Sequence, residues 1–259
     1  APPAAPRYFS LLRNTGHANV AHMLREKGEL LPAENTLTVV PGFIGAYVNE
    51  TDKAEPWKVS LGFFGTGEQG ASYQKSFNSP LAMLQAEKRL RLFGGLPGNY
   101  RAYAWHRSDA PELDGVSNGT HTGVGVSFDQ RVGDGITLFG RLGKLTHGQL
   151  NFDRAVTAGA EFSGAYWGRG GDAVGVGGAW LHASSEYRDL GGSGDRRGDG
   201  SGLFAYAPSG AEKVAELYYR YRLSPQFDLT PDLQWLGRPG ANPNAESVKV
   251  LSLRANIAF

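Results

Sequence analysis

The sequence predicts an all-β fold, an antiparallel transmembrane β-barrel of the outer-membrane type. Three observations carry that expectation. Gly supplies 37 of 259 residues, about twice the usual share, and turn residues recur between short segments in which apolar and polar side chains alternate. The last segment alternates to the end of the chain, with Leu251, Leu253, Ala255, Ile257 and Phe259 on one side and Ser252, Arg254, Asn256 and Ala258 on the other. Finally, no run approaches the roughly 18 apolar residues of a membrane-crossing helix. A barrel strand needs none, because only alternate side chains face lipid.

The first 33 residues read differently from the rest. Residues 17–25 have helical spacing that Gly28 and Pro32 stop, so residues 1–33 are expected to form a loop with a turn or two of helix. Residues 34–259 are expected to form the barrel region. Its first strand candidates are 35–48, 57–65, 81–93 and 99–107. Val124, Val126, Phe128 and Val132 then oppose Ser127, Asp129 and Arg131, and Gly133, Asp134 and Gly135 make a turn. Ile136, Leu138 and Leu142 oppose Thr137, Phe139 and Arg141, and Val156, Ala158, Ala160 and Phe162 oppose Thr157, Glu161 and Ser163. After a Gly-rich turn at 168–171, a strand follows through Val174, Val176 and Trp180, and residues 189–202 read as an exposed loop. Ala215, Leu217, Tyr219, Tyr221 and Leu223 oppose Glu216, Tyr218, Arg220 and Arg222. A tight turn at 224–226 leads into Phe227, Leu229, Pro231, Leu233 and Trp235, and a longer loop at 238–244 precedes the last strand. These make 11 strands, with a twelfth candidate at 203–207. Pro231 lacks the ladder N–H and is expected at a bulge or a strand end.

Composition narrows the chemistry. With no Cys there is no disulfide framework and no thiolate metal site. A net charge of +1 gives no reason to expect nucleic acid. The start, Ala-Pro-Pro-Ala-Ala-Pro, lacks a signal-peptide pattern and reads as a processed end or a trimmed one. The six His, at 17, 22, 106, 121, 147 and 182, are scattered, so neither metal nor other cofactor is expected. His182 and Ser184 share a strand face, a local hint of a barrel-wall hydrolase, but polar surface decoration accounts for them better.

Several segments together resemble the carbohydrate-selective porins of the OprB family. The residues that carry the likeness are Leu96-Pro97-Gly98-Asn99-Tyr100-Arg101, Gly125-Val126-Ser127-Phe128-Asp129-Gln130-Arg131 and Ile136-Thr137-Leu138-Phe139-Gly140-Arg141. Trp167-Gly168-Arg169 with Asp172 follows, then Glu216-Leu217-Tyr218-Tyr219-Arg220, Leu229-Thr230-Pro231-Asp232-Leu233-Gln234 and Leu251-Ser252-Leu253-Arg254. The resemblance implies a homotrimeric barrel, usually 16-stranded, in the bacterial outer membrane, through which sugars diffuse. The closing Phe259 resembles the signal read by the barrel-assembly machinery. This chain matches about the latter two-thirds of such a barrel. Its first strands are therefore missing, supplied by another chain, or unnecessary because the barrel is smaller and closed.

Assigning the polar face of each strand to the lumen places Arg101, Arg107, Arg131, Arg141, Arg220, Arg222 and Arg254 inside. Asp129, Glu161 and Glu216 join them, with Tyr103, Trp105 and Tyr218 as aromatics. Arg and carboxylate groups hydrogen-bond sugar hydroxyls, and aromatic rings stack on the apolar C–H face of a sugar. The segment from Arg101 to Arg107 offers two Arg and two aromatics on one face, unless Trp105 sits in a rim girdle at headgroup level. The expected function is passive diffusion of sugars or other small polar solutes through a channel bounded by membrane lipid, with no enzymatic step. A structural barrel subunit or anchor of an envelope assembly is the alternative, and the hydrolase the third reading.

Overall fold

The computed structural model describes residues 42–49, 51–64, 80–114, 117–193 and 206–257. They form one antiparallel sheet in which each strand pairs with the next in sequence. The strands are β1 (Gly42–Asn49), β2 (Trp57–Phe64), β3 (Leu81–Leu92), β4 (Leu96–Pro111), β5 (Asn118–Gly133) and β6 (Ile136–His147). They continue as β7 (Phe152–Ser163), β8 (Ala173–Ala183), β9 (Ala211–Ser224), β10 (Phe227–Gly237) and β11 (Val248–Ile257). The predicted segment 1–33, the first residues of the 35–48 candidate, most of 203–207 and Phe259 lie outside the described residues. Tyr206 and Ala207 are not in a strand.

Side-chain parity separates two faces. On β9, Glu212, Val214, Glu216 and Tyr218 are buried while Lys213, Ala215 and Leu217 between them are exposed. The exposed face is the apolar one, as Leu217, Leu233, Val126 and Leu142 are all about half exposed. That inverts the rule for a soluble sheet and suits a face turned to hydrocarbon. The opposite face collects the charges and is called the inner face below.

Glycine explains how the inner face accommodates its rings. Across the ladder Tyr103 faces Gly125, Trp105 faces Gly123, Phe139 faces Gly159 and Tyr218 faces Gly175. A Cβ at any of these four glycines would come within 2.1–2.5 Å of the facing ring. Each ring therefore lies across its glycine, and the weak strand propensity of Gly is offset by cross-strand cover.

At one end of the sheet three turns are short, 93–95, 134–135 and 225–226, and the β1–β2 connection spans 50–56. Between β7 and β8 that end carries a 3-10 turn, Gly164–Trp167, followed by residues 168–172, more structure than the Gly-rich turn expected from the sequence. At the other end the connections 184–210 and 238–247 are longer, the asymmetry of an outer-membrane barrel. The β8–β9 connection holds helix α1 (Ser185–Ser193), which corrects the expectation of an exposed loop over 189–193; residues 194–202 of that expectation lie outside the described residues. Ser184 caps it, its Oγ accepting from the Tyr187 N–H at 3.0 Å and donating to the Leu150 carbonyl at 2.6 Å. Tyr187 is 2 % exposed and packs with Leu113, Phe152, Ala155, Leu181, Ala183 and Ala241. Ala155, Leu181 and Ala183 belong to the inner face, so α1 folds inward over the long-loop end of β7 and β8.

Two further expectations are corrected. Pro231 lies mid-strand, paired with Leu253 of β11, and the β9 register on either side, Leu229 with Tyr221 and Asp232 with Tyr218, shows no bulge between. The β9 ladder skips Thr230 and Pro231, which is where the missing N–H falls. And the described strands do not form a small closed barrel. Among the described residues β1 pairs only with β2 and β11 only with β10.

Candidate functional site

The most organised part of the inner face spans β2 to β5. Register places Lys58 beside Glu87 and Glu87 beside Arg101, with Asn99 beside Asp129. Arg101 donates from Nε to Glu87 at 2.8 Å and from Nη1 to Asp129 at 2.7 Å, so one guanidinium bridges two carboxylates on the strands that flank it. Asn99 donates to the second oxygen of Asp129 at 2.8 Å, and Lys58 stands 3.7 Å from Glu87. The signs alternate along this row: Lys58, Glu87, Arg101, Asp129. Arg101, Glu87 and Asp129 each keep about a quarter of their side-chain surface open to solvent. The row is thus held in place yet reachable, which suits exchange of hydrogen bonds with a passing hydroxyl.

Along β4 toward the long loops, Tyr103 and Trp105 follow Arg101 on the same face. Trp105 lies on Gly123 and so belongs to the inner face. Arg107, next in parity, is only 7 % exposed at the long-loop end, opposite Leu81 and His121.

The remaining predicted residues fall into separate groups. Tyr218 reaches across Gly175 to donate to Glu161 at 2.5 Å. Arg254 donates to Asp232 at 3.0 Å and lies 4.0 Å from Glu216. Glu216 and Tyr218 are both buried, unlike the Arg101 row. Arg222 donates to Asp228 at 2.8 Å near the β9–β10 turn. Arg131 lies 3.8 Å from Asp134 at the β5–β6 turn. Arg141 faces Ser127 within electrostatic reach of Tyr103, and Arg220 faces Ala173, both on the inner side.

A second polar centre lies at the short-turn end. Asp172, buried just before β8, accepts from Arg169 Nε at 2.5 Å, Tyr219 Oη at 2.5 Å and the Arg222 N–H at 3.0 Å. The hydrogen bond from Arg169 outweighs burial and, with the other two donors, holds the carboxyl down to about 2. This centre ties the 3-10 turn to β9 and is a structural fixture.

The hydrolase pair does not assemble. Ser184 Oγ is used as the helix cap, while His182 stands 2.7 Å from Asp153 and 3.1 Å from Arg154 on the outer side. Among the described residues no group of His, Asp and Glu is arranged for a metal ion. Sequence reasoning missed Lys58 and Asn99. Lys58 was within reach, since Trp57, Val59 and Leu61 face outward and parity puts Lys58 opposite them.

An up-and-down antiparallel sheet, apolar where exposed and charged on its other face, is the wall of a transmembrane β-barrel. The family model described as carbohydrate-selective porin, OprB family, matches residues 35–259, and the chain belongs to that family. A second family model, fatty acid cis/trans isomerase, matches residues 3–60, whose described part is β1 and the start of β2 in this same sheet. Among solved structures, the high-pH structure of Pseudomonas putida OprB aligns with a TM-score of 0.67 at 20% identity, over 84% of this chain and 58% of that one. This supports the fold. The chain therefore spans little more than half the length of that relative. An uncharacterized protein of Nostoc sp. is 34% identical over 74 residues, 25% of this chain and 13% of that protein.

Proposed function

We propose that this chain forms part of the wall of an outer-membrane channel through which sugars and similar small polar solutes diffuse passively. One observation carries the reading: the partly open Lys58–Glu87–Arg101–Asp129 row continues on β4 into Tyr103 and Trp105, each laid on a glycine. A sugar needs hydroxyl partners and an apolar platform, and β4 offers both two residues apart. Fixed opposite charges across the row also order water, which favours neutral polar solutes over bare ions. No covalent step is required. Integral placement in the outer membrane, homotrimeric assembly and recognition of Phe259 by the assembly machinery belong to the same proposal.

Among the described residues β1 and β11 each keep one unpaired edge, which favours a companion reading, in which these strands are one segment of a wall completed by further strands. An unpaired edge seeks a partner.

The test is conductance of the full-length protein in a planar bilayer. Stepwise openings blocked by a neutral disaccharide are expected, with Trp105→Ala weakening the block about three- to tenfold, the scale of one aromatic contact. A sealed bilayer, or a block indifferent to Trp105, would refute the reading.

A further inference from the structure

The outer face carries a groove that the channel reading does not use. Ala86 and Ala102 are direct cross-strand partners, as are Leu84 and Ala104. Leu142 and Trp180 help to wall a cavity of about 670 Å3 above these alanines, within the size range of ligand sites. At its long-loop end the lining changes character to Lys144 and Arg154, which pair across β6 and β7. Lys144 is exposed and has no ion-pair partner among the described residues. Arg154 stays exposed beside Asp153, at 3.3 Å. One strand further on, Trp180 pairs with Lys213, and on β11 Lys249 pairs with Trp235.

Charge decides between occupants. Lys88, Lys144, Arg154, Lys213 and Lys249 occupy outward-parity positions of the described strands, against one carboxylate, Asp109, which follows the β4 bulge and accepts from Asn118. The nearest carboxylate, Asp153 at the bulge opening β7, is already paired with Arg154 and His182. A second copy of this face would bring cations against Lys144 and Arg154. A negatively charged headgroup answers them, and Trp180 marks the level at which headgroups sit.

We infer that the groove binds an anionic, phosphate-bearing membrane lipid, one acyl chain over Ala86, Ala102 and Ala104 and the phosphate against Lys144 and Arg154. The inference rests on the outer face being the lipid face. The full-length protein is placed in nanodiscs of phosphatidylcholine doped with phosphatidylglycerol, released into mild detergent and weighed by native mass spectrometry. Phosphatidylglycerol is retained in preference to phosphatidylcholine, and Lys144→Gln with Arg154→Gln cuts that retention about 25-fold, roughly fivefold for each basic side chain near an anionic surface. The exchange Lys144→Arg with Arg154→Lys preserves it. Equal retention of the two lipids, or retention unchanged in the Gln double variant, overturns the inference while leaving the channel intact. So does a Gln variant that loses its oligomer instead of its lipid, which makes the groove a subunit contact. A protein that does not enter the disc overturns the channel reading and this inference together.

Discussion

Replacing Gly175 by Ala tests the aromatic-on-glycine construction of the inner face. Gly175 lies between Glu161 of β7 and Tyr218 of β9. A Cβ there would fall 2.1 Å from Tyr218 Cζ and 2.5 Å from its hydroxyl, so the ring must lift from the sheet. Lifting it breaks the 2.5 Å hydrogen bond to Glu161. A hydrogen bond to a charged group contributes about 1.5–3 kcal/mol, and forcing a buried ring aside costs about 1–3 kcal/mol more. Ala gains back less than about 1 kcal/mol over Gly in a strand, so the net expectation is a loss of about 2–5 kcal/mol. Gly143→Ala is the control on the same face, since its Cβ would meet nothing nearer than Tyr103 Oη at 3.8 Å. That variant should stay within about 0.5 kcal/mol of wild type. The assay is reversible urea unfolding in detergent micelles followed by tryptophan fluorescence. Adding Gly175→Ala to Tyr218→Ala should cost almost nothing beyond Tyr218→Ala alone, because the clash needs the ring. Equal stabilities of the Gly175 and Gly143 variants, or full additivity with Tyr218→Ala, would refute the reasoning.

Two other outcomes are expected. Arg101→Ala leaves Glu87 and Asp129 without the guanidinium that bridges them at 2.8 and 2.7 Å. One charge felt across about 10 Å of water amounts to about 0.4 kcal/mol, about twofold in the partition of each ion. The cation-to-anion permeability ratio from reversal potentials should therefore rise about fourfold in dilute salt and less in concentrated salt; an unchanged ratio in dilute salt would remove Arg101 from the conduction path. Asp172→Asn should cost only about 1–2 kcal/mol at neutral pH, because Arg169 is 41% exposed and water screens the pair. The Asp172 carboxyl titrates at about 2 rather than the ordinary 3.8, so its contribution is whole above pH 3.8 and is lost as pH falls through 2. Unfolding series at pH 7, 5 and 3 should show the gap between wild type and Asp172→Asn constant over the first two and narrowed at the third. A gap that widens on acidification would contradict the assignment.

How far the sequence reaches is visible in particular residues. Parity alone assigns faces, because a strand sends alternate side chains to opposite sides, and it was enough to put Arg101, Tyr218 and Arg254 on one face and Leu217, Leu233 and Leu253 on the other. Parity says nothing about depth, which depends on what folds over the face. Glu216 and Tyr218 share a face with Arg101 and yet are buried. Helix α1 was illegible for the same reason. Ser185–Ser193 is polar and contains two glycines, a poor helix by propensity. What anchors it is the Tyr187 hydroxyl, within hydrogen-bond distance of Tyr206 Oη at 2.8 Å and the Gly240 carbonyl at 3.1 Å, partners 19 and 53 residues away. Register is the third quantity, and pairwise alternation does not encode it. A shift of one residue between β4 and β5 would send Asp129 to the other face. A shift of two would keep every side chain on its proper face and still separate Arg101 from Asp129. The charged row is therefore a property of register, and the glycines that only one register sets under Tyr103, Trp105, Phe139 and Tyr218 are what select it.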